Sequence, residues 1–596
     1  MAKNKIKQVS GVAAKLAAQP VLSRFLPISQ TLATYNRDNF NGDATAGIIV
    51  AIMLIPQSMA YALLAGLPPQ SGLYASILPL MAYALFGTSK TLAVGPVAIV
   101  SLMVASTLAP LAQLGSELYV SYAIMLALLS GVFLLLLGLL RIGFVVNFMS
   151  HPVIAGFTSA AALIIGFSQF KHLLGISLER TYLIPKILIQ AFEKISEISI
   201  ATVLLSAMTI ALLLFRAPLC KELLARGWIS KTVAEYLPRA MPLVVAIIGT
   251  VLTFALSLSE NAGVKIVGAV PAGLPPFKLP IIDFNIALEL LPAAVLISIV
   301  GFLESVSVAK SLASKRRQKI IPNQELIGLG AANIGAAMTG AYPVTGGFSR
   351  SVVNFNAGAQ TPIAAVFTAV LIAIVLLLFT PLLHYMPKAV LAGIIVVAIG
   401  TLVDFKAFTH AWAYNKADGL SFLLTFLAVL AFGVEIGILS GIAASLGLYL
   451  WRTSKPHIAL VGRVGKTEHF RNVLRHDVRT YEKLVLLRVD ESLYFANMVF
   501  LEDRILRYVS DNPQVENLVL ICSAVNTIDA SALDSMVQLI QRLKDSGVTL
   551  HLAEVKGPVM DNLNRVDFLD NLAPGKVFLS TFEATDALCN NGNGCD

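Results

Sequence analysis

Charged residues are scarce in this chain. Asp, Glu, Lys and Arg make up 13% of the 596 residues, whereas 56% are hydrophobic. Soluble domains carry about 25% charged residues, so this composition excludes an ordinary soluble globular protein. A mean hydropathy of +0.77 indicates a polytopic membrane protein.

Cysteines and catalytic motifs are also scarce. The four cysteines show no metal-ligand spacing and no paired framework, and the eight histidines show no ligand spacing. No P-loop, dinucleotide fingerprint or nucleophile–base pair is found. We therefore expect no metal, no cofactor, and neither an enzyme nor an ATP-driven pump. No nucleic-acid motif accompanies the net charge of +9, which cytoplasmic loops explain.

The chain is predicted to divide into four parts. Lys3, Lys5 and Lys7 precede a mixed polar stretch without the short apolar core of a signal peptide. Residues 1–40 are therefore expected to form a cytoplasmic N-terminal segment, and residues 41–452 a transmembrane domain. The composition then becomes that of a soluble protein, which predicts a cytoplasmic domain over residues 453–588 and a disordered tail over residues 589–596.

Long apolar segments predict the membrane spans, each of which needs about 20 residues. About fourteen candidates occur, some of them short or interrupted by Gly and Pro. They lie near residues 44–64, 72–87, 95–111, 120–140, 152–171, 198–215, 241–258, 289–309, 324–341, 347–358, 361–384, 388–403, 418–433 and 434–451. Lys and Arg follow the even-numbered spans, which predicts that both termini are cytoplasmic.

Two interrupted segments hold corresponding places, third and tenth. Gly95-Pro96 opens the third, and Gly346-Gly347 opens the tenth. Pro96 is expected at the first helical position, where its missing N–H would be unpaired anyway. Interrupted helices at matching positions of two halves indicate inverted repeats with a binding site at the membrane midplane. The alternative is two ordinary kinked helices.

Arg350 is a charge in the middle of apolar sequence. A charge at membrane depth costs about 2.5–3.5 kcal/mol on insertion scales and requires a partner. The glycines just before it suggest a helix that begins inside the membrane. An arginine beside a helix N-terminus forms a site for an anion. The alternative is an arginine that snorkels from a helix end to the cytoplasmic surface.

Two further polar groups lie within predicted spans. Glu304 follows Pro292 by roughly 20 Å of helix, and burial favours the neutral form of a carboxyl group. Glu304 is therefore a candidate proton carrier, or alternatively a structural partner for Lys310 or a serine. Gln57 and Tyr61 lie four residues apart on one helix face and can both donate to an oxyanion. Their alternative role is hydrogen bonding between helices.

The region after Arg452 alternates strands and helices. Strands are predicted at Leu484–Val489, Asn517–Ile521 and Val548–Ala553, with helices extending to about Lys544 and near Val559–Arg565. This order predicts a small α/β sheet domain. Asp529 and Ser531 begin the first of these helices, either as N-cap residues or, for Ser531, as a regulatory phosphorylation site.

Several sequence runs resemble the sulfate permease (SulP) family of anion transporters. The resemblance covers nearly the whole chain and is closest to the plant-type sulfate permeases. The matching transmembrane runs are Ile55–Ala62, Ala65–Tyr74, Phe86–Ser89, Val94–Pro96, Glu304-Ser305, and Phe348–Ser351 with Asn354. The C-terminal region is similar to a STAS domain through Val489-Asp490, Tyr494–Asn497 and Ile528–Ser531.

The resemblance implies an architecture and a site. It implies a polytopic α-helical fold of fourteen spans in two inverted repeats of seven, with two half-helices meeting at the midplane, followed by a cytoplasmic STAS domain. It also implies an elevator-like transport domain and a homodimer. By position, the residues that match the anion site are Gln57, Tyr61, Val97, Ala98, Phe348, Ser349 and Arg350, and Glu304 matches the acidic coupling position.

The resulting hypothesis is a secondary transporter that takes up sulfate with protons by symport. It would lie in a cell membrane, for which a bacterial inner membrane is expected, and the STAS domain would bind a cytoplasmic protein partner. Three alternatives remain open within transport: sodium-coupled bicarbonate uptake, anion exchange and a passive anion channel. A fourth alternative is a membrane sensor that signals through its C-terminal domain.

Overall fold

A computed structural model describes residues 26–144, 150–179, 181, 183–277 and 283–589. The predicted tail beyond residue 589 and residues 1–25 of the predicted N-terminal segment lie outside the described residues. The chain separates into two compact units, with the division between Ser445 and Leu446.

The first unit is helical, and the last of its helices extends past the boundary at Ser445 to Thr453. Its helices in chain order are α1 (Ile28–Ala33), α2 (Arg37–Ala65), α3 (Pro69–Tyr74), α4 (Leu78–Phe86), α5 (Ala98–Leu108), α6 (Glu117–Leu139), α7 (His151–Ser168), α8 (Phe170–Leu173), α9 (Ile184–Glu193), α10 (Ile200–Leu214), α11 (Arg216–Ala225), α12 (Lys231–Ala255), α13 (Leu258–Asn261), α14 (Phe284–Lys315), α15 (Pro322–Met338), α16 (Phe348–Asn356), α17 (Ile363–Leu378), α18 (Lys388–Gly400), α19 (Phe405–Tyr414), α20 (Lys416–Phe432) and α21 (Val434–Thr453). Two-residue strands β1 (Val94–Gly95) and β2 (Thr345–Gly346) precede α5 and α16.

The ends of the helices have local causes. Asn36 accepts a hydrogen bond from the backbone N–H of Asn39 and so caps the start of α2, and Asp283 caps α14 in the same way. Gly66 ends α2 in the left-handed conformation, at φ 81°, which glycine adopts without strain. Pro322 lies in the first turn of α15, where its missing N–H costs nothing.

Each of the fourteen predicted apolar segments coincides with a helix or with a short helix pair. Within the described residues, seven helices are long and apolar enough to cross a membrane, or eight if the pair α10 and α11, bent by 69°, is one span. The remaining segments are shorter, as in α5 and α17. Short segments are expected where helices end inside the protein, because only buried or solvated backbone can be irregular at membrane depth.

Helix pairing reveals the two inverted repeats. In two inverted repeats, α2 of the first half is equivalent to α14 of the second, and α6 is equivalent to α17. The contact of α2 with α17 then has an equivalent in the contact of α14 with α6, and both contacts are observed. If α7 corresponds to α18 and α10 to α20, then the contact of α7 with α20 becomes that of α18 with α10. The predicted seven-plus-seven arrangement is therefore present in the packing.

The two repeats meet at the half-helices α5 and α16. Strand β1 pairs antiparallel with β2, so that Val94 lies opposite Gly346 and Gly95 lies opposite Thr345. The alternative of two ordinary kinked helices is wrong, because each half-helix begins at this buried strand pair. Pro96 is not the first helical residue as predicted, since Val97 is the N-cap and α5 begins at Ala98.

The second unit is an α/β domain. Its strands are β3 (Ile458–Arg463), β4 (Phe470–Asn472), β5 (Leu484–Val489), β6 (Asn517–Ile521), β7 (Thr549–Ala553) and β8 (Val577–Phe578). Its helices are α22 (Phe495–Asp511), α23 (Ala530–Asp545), α24 (Gly557–Asn564), α25 (Phe568–Leu572) and α26 (Thr581–Cys589). The strands form one six-stranded sheet in the order β4-β3-β5-β6-β7-β8. Strands β5 to β8 are parallel, and β3 is antiparallel to both β4 and β5. The three predicted strands match β5, β6 and β7 within one residue.

Close helix packing in the first unit makes one glycine pair a direct test. A Cβ at Gly131 of α6 would lie 2.7 Å from the backbone nitrogen of Ile334, whereas a Cβ at the buried Gly335 of α15 would lie 3.4 Å from Leu78 Cγ. We expect Gly131→Ala to destabilise the protein by about 1–3 kcal/mol through overpacking and to lower its melting temperature in detergent.

The matched control for this prediction is Gly335→Ala. Both substitutions gain the same helix propensity, about 1 kcal/mol, but only Gly131→Ala forces backbone apart. Equal melting temperatures for the two variants would contradict the packing of α6 against α15.

Candidate functional site

Two helix N-termini meet in the interior of the first unit. Neither Val97, the N-cap of α5, nor Gly347, the N-cap of α16, provides a side-chain cap to the helix it precedes. The N–H groups of the first turn of a helix have no intrahelical partners and carry a partial positive charge. The two half-helices therefore present backbone donors and positive potential to one place.

Arg350 connects the two half-helices. Its side chain is 2% exposed, and its Nη1 donates a hydrogen bond of 2.7 Å to the carbonyl oxygen of Pro96. Its Nε and Nη2 are buried and have no hydrogen-bond partner among the described residues. A guanidinium with two unsatisfied buried donors is suited to an anion. The alternative that Arg350 snorkels to a surface is wrong, because the side chain is buried.

A small cavity lies at this guanidinium. Its volume is about 40 Å³, and one water molecule needs about 10–15 Å³ by the same measure. The space therefore suits a small inorganic ion rather than an organic substrate. All eight residues predicted for the anion and coupling sites line it: Gln57, Tyr61, Val97, Ala98, Glu304, Phe348, Ser349 and Arg350.

The cavity contains one basic and one acidic side chain. One carboxylate oxygen of Glu304 and the amide oxygen of Gln57 are buried without a hydrogen-bond partner in the described part of the chain. Glu304 forms no ion pair with Arg350 or Lys310 within 4.0 Å in the described ranges. The cavity thus combines one cation, one carboxyl group and two helix N-termini, so its net charge depends on the protonation of Glu304.

Side chains behind the cavity hold the start of α16. Ser351 Oγ accepts a hydrogen bond of 2.9 Å from the backbone N–H of Ala93, and Asn354 donates one of 3.0 Å to the carbonyl of Thr91. Ser305 Oγ accepts one of 2.8 Å from the backbone N–H of Gly346. Asn333 bonds both the N–H and the carbonyl of Val344. These bonds fix the half-helix N-terminus that faces the cavity.

Sequence reasoning missed two parts of this site. Asn333 carries a signal that could have found it, since an amide in an apolar span seeks a partner. The residues of α18 and its C-terminal end that complete the cavity wall, among them Ala398, Ile399 and Leu402, carry none. Apart from Thr401 they are apolar residues in an apolar span, and only the packing distinguishes them.

In the second unit, Asp529 rather than Ser531 caps α23. The Asp529 carboxylate accepts hydrogen bonds from the backbone N–H groups of Ala532, at 2.7 Å, and Phe495, at 3.0 Å. Ser531 lies in the first turn of α23 and is exposed. The side chain of Ser531 is therefore accessible for modification.

Comparisons with known proteins agree with this architecture. Residues 40–425 match the sulfate permease family, and residues 475–584 match the STAS domain. The chain is 37% identical to sulfate transporter 4.1, chloroplastic, of Arabidopsis thaliana over 544 residues, which are 89% of this chain and 78% of that protein.

Two solved structures have a similar fold at low identity. The anion transporter solute carrier 26 family member A9 from mouse, in an inward-facing state, superposes with a TM-score of 0.86 at 22% identity, covering 95% of this chain and 94% of the other. The transmembrane domain of the cyanobacterium bicarbonate transporter BicA superposes with a TM-score of 0.57 at 22% identity, covering 69% of this chain and 99% of the other.

The two family matches follow each other along the chain in the expected order. The match to the sulfate permease family covers both half-helices and the cavity between them. The chain is therefore a membrane protein of the sulfate permease family with a C-terminal STAS domain.

Proposed function

We propose that this protein takes up sulfate together with protons, and that the cavity at Arg350 is the sulfate site. The observation that carries the proposal is the buried Arg350 guanidinium, which bonds one half-helix and leaves two donors for a ligand. Plant relatives that are named sulfate transporters support sulfate as the substrate. The chain acts as an anion transporter in this proposal and not as an enzyme.

The roles of the site residues follow from their chemistry. Arg350 and two helix N-termini neutralise the anion. The N-terminus of α5 lies at Val97 and Ala98, and that of α16 lies at Phe348 and Ser349. Gln57 and Tyr61 from α2 donate hydrogen bonds to its oxygens. None of these contacts requires a metal or another cofactor.

Glu304 couples the proton to sulfate in this mechanism. When Glu304 is ionised, it offsets the charge of Arg350 and disfavours a divalent anion. When Glu304 is protonated, the cavity is left with net positive charge, so proton and sulfate bind with positive coupling. Coupling free energies of this kind are typically about 1–3 kcal/mol, or about 5–150-fold in affinity.

An elevator motion would carry the site across the membrane. Helices α2, α5, α14 and α16, together with the N-cap Val97, supply the eight site residues, whereas Ala398, Ile399, Thr401 and Leu402, at the end of α18, complete the lining of the cavity. Sliding of the first group against the second would open the cavity to each side in turn. We further propose a homodimer in a bacterial inner membrane, with both termini and the STAS domain in the cytoplasm.

The domain limits are proposed to be residues 41–452 for transport and residues 453–588 for the STAS domain, with Ser531 as a regulatory site. A phosphate at Ser531 would lie in the first turn of α23, where the helix dipole favours negative charge. The proposed partner of the STAS domain is a cytoplasmic protein that binds the phosphorylated form of Ser531.

Removing the guanidinium should abolish high-affinity binding. We expect Arg350→Ala to weaken sulfate binding by at least about tenfold, because charge-assisted hydrogen bonds contribute about 1.5–3 kcal/mol each. Equilibrium binding to purified protein and uptake of labelled sulfate into proteoliposomes measure this effect. Wild-type affinity in Arg350→Ala would place the anion site elsewhere.

Gly347→Ala tests the position of the guanidinium without removing it. A Cβ at Gly347 would lie 2.8 Å from Cζ and Nη2 of Arg350, so the side chain must move. We expect weaker sulfate binding in this variant and unchanged binding in the Gly335→Ala control. Sulfate, selenate, bicarbonate, chloride and dicarboxylates should be compared as competitors, since preferential displacement by bicarbonate would favour the bicarbonate alternative.

Neutralising Glu304 should separate binding from coupling. In wild-type protein, sulfate affinity should increase as the external pH falls, because protonation of Glu304 removes a negative charge from the cavity. Glu304→Gln should bind sulfate with an affinity that no longer depends on pH, and a pH gradient should no longer drive accumulation in proteoliposomes.

Two outcomes would contradict this coupling scheme. If Glu304→Gln still concentrates sulfate in response to a proton gradient, Glu304 is not the coupling carboxyl group. If a sodium gradient drives uptake by the wild-type protein and a proton gradient does not, then sodium is the coupling ion. A passive channel would show no uphill accumulation with either gradient.

Ser531 can be tested in cells and in purified protein. We expect Ser531→Asp to change the rate of sulfate uptake or the capture of a cytoplasmic partner, with no change in the sulfate affinity of the purified transporter. Mass spectrometry of the protein isolated from its host should find phosphate on Ser531. The half-buried Ser535, one turn further along α23, provides the control through Ser535→Asp, although its hydroxyl donates to the Ser531 carbonyl.

A further inference from the structure

The C-terminal end of α16 lies close to the anion cavity. The helix has nine residues, Phe348–Asn356, and spans about 13 Å at 1.5 Å per residue. The helix dipole that attracts an anion at the N-terminus presents partial negative charge at the C-terminus. In so short a helix, that negative end opposes anion binding unless something neutralises it.

The chain folds back at this C-terminus through a glycine. Gly358 adopts φ 98°, and its N–H donates to the carbonyl of Phe355, while the N–H of Ala359 donates to the carbonyl of Asn354. This is a Schellman arrangement, which satisfies two of the last carbonyls of a helix. It leaves the second lone pair of the Phe355 carbonyl and the carbonyl of Ala359 available to another donor.

Arg316 is that donor. Its Nη2 donates a hydrogen bond of 3.0 Å to the carbonyl of Phe355, and its Nη1 donates to the carbonyl of Ala359. The guanidinium carbon lies 4.2 Å from the centroid of the Phe355 ring. The geometry combines two hydrogen bonds with a cation stacked on the Phe355 ring, which places positive charge at the last carbonyls of α16.

Asp43 fixes the next residues of the same turn. Its carboxylate is fully buried and accepts hydrogen bonds from the backbone N–H groups of Gln360, at 2.7 Å, and Thr361, at 2.9 Å. The Thr361 hydroxyl and the Tyr35 hydroxyl also donate to it. Arg316 therefore holds a C-terminus whose following chain is anchored to α2, the helix that carries Gln57 and Tyr61.

Arg316 differs from Lys319, which lies three residues later in the chain. It belongs to the basic run Lys315–Lys319, which charge patterning assigns only to a cytoplasmic loop. Lys319 is exposed, whereas Arg316 is half-buried and bonded to the backbone. Replacing either Arg316 or Lys319 by a neutral residue removes one positive charge from the loop. Of these two, Arg316 is the one that contacts α16.

We propose that Arg316 is a positioning residue for the anion site. It holds α16 at its C-terminal end and neutralises the negative end of the helix dipole, so that the N-terminus at Ser349 and Arg350 binds a divalent anion more tightly. This role rests on the proposed sulfate site, and it acts through the helix, without contact between Arg316 and the anion.

The test compares charge-retaining and charge-removing variants of the full-length protein. We expect Arg316→Met and Arg316→Gln to raise the sulfate Kd, and the KM of uptake, by roughly five- to twentyfold, with little change in the maximal rate per folded transporter. Arg316→Lys keeps the charge and should stay within about threefold of wild type. The control Lys319→Gln should bind sulfate as the wild type does.

Each outcome decides the proposal. Sulfate affinity in Arg316→Gln equal to that of Lys319→Gln overturns it, as does a loss in Arg316→Lys as large as in Arg316→Gln, since that would indicate loss of packing alone. Should Arg316→Met fail to fold, the comparison of the Gln and Lys variants still decides.

Failure of the proposed function looks different. If the wild-type protein and every variant bind no sulfate, then sulfate is the wrong substrate, and the same variants are compared with the anion that most stabilises the wild type. The expected order, with wild type and the Lys variant tighter than the Gln variant, applies to that anion too. An order without this charge dependence overturns the role of Arg316.

Discussion

The buried guanidinium of Arg350 is the interaction on which the rest of the transmembrane unit depends. A cation in the interior of a membrane protein is costly unless it is paired. Here one N–H bonds the carbonyl of Pro96, just before the other half-helix. Strand β1 pairs with β2, and the side chains of Ser351 and Asn354 bond to the segment before α5. These contacts hold the two half-helices in register, so that the bond from Arg350 to Pro96 can form.

The surrounding helices cover the irregular backbone that precedes the two half-helices. A half-helix leaves irregular backbone at membrane depth, which is stable only inside protein or beside water. Helices α2 and α14 each pack against both half-helices, and α6 packs against α5. Buried carboxylates secure the adjoining turns: Glu325 of α15 accepts hydrogen bonds from Tyr83, Thr88 and Ser89, and Asp43 of α2 holds the turn after α16. Both carboxylates are fully buried and accept hydrogen bonds from neutral donors, so each fixes a loop.

Sequence analysis located residues of the cavity where one residue type stands out against its background. Arg350 and Glu304 are charges in apolar spans, and Gly95 and Gly347 interrupt such spans, so each signal can be read locally. Prediction failed at Pro96, which composition places at the start of a helix and the structure places before it, as an acceptor for Arg350. It also passed over β3, β4 and β8, of which β4 has three residues and β8 has two, too few to show a pattern. Helix ends and edge strands depend on contacts with distant segments, which a local pattern does not contain.

The sequence by itself determined that this is a polytopic membrane protein with two interrupted helices in matching places and a soluble α/β domain after them. Hydrophobic periodicity and isolated charges suffice for that, because the bilayer imposes one length and one polarity on every span. Only the tertiary structure decided that eight side chains from four helices line one small cavity, that α18 closes its wall, and that Arg316 reaches the far end of α16. These are contacts between residues up to hundreds of positions apart, and they depend on how helices pack rather than on what any one helix contains.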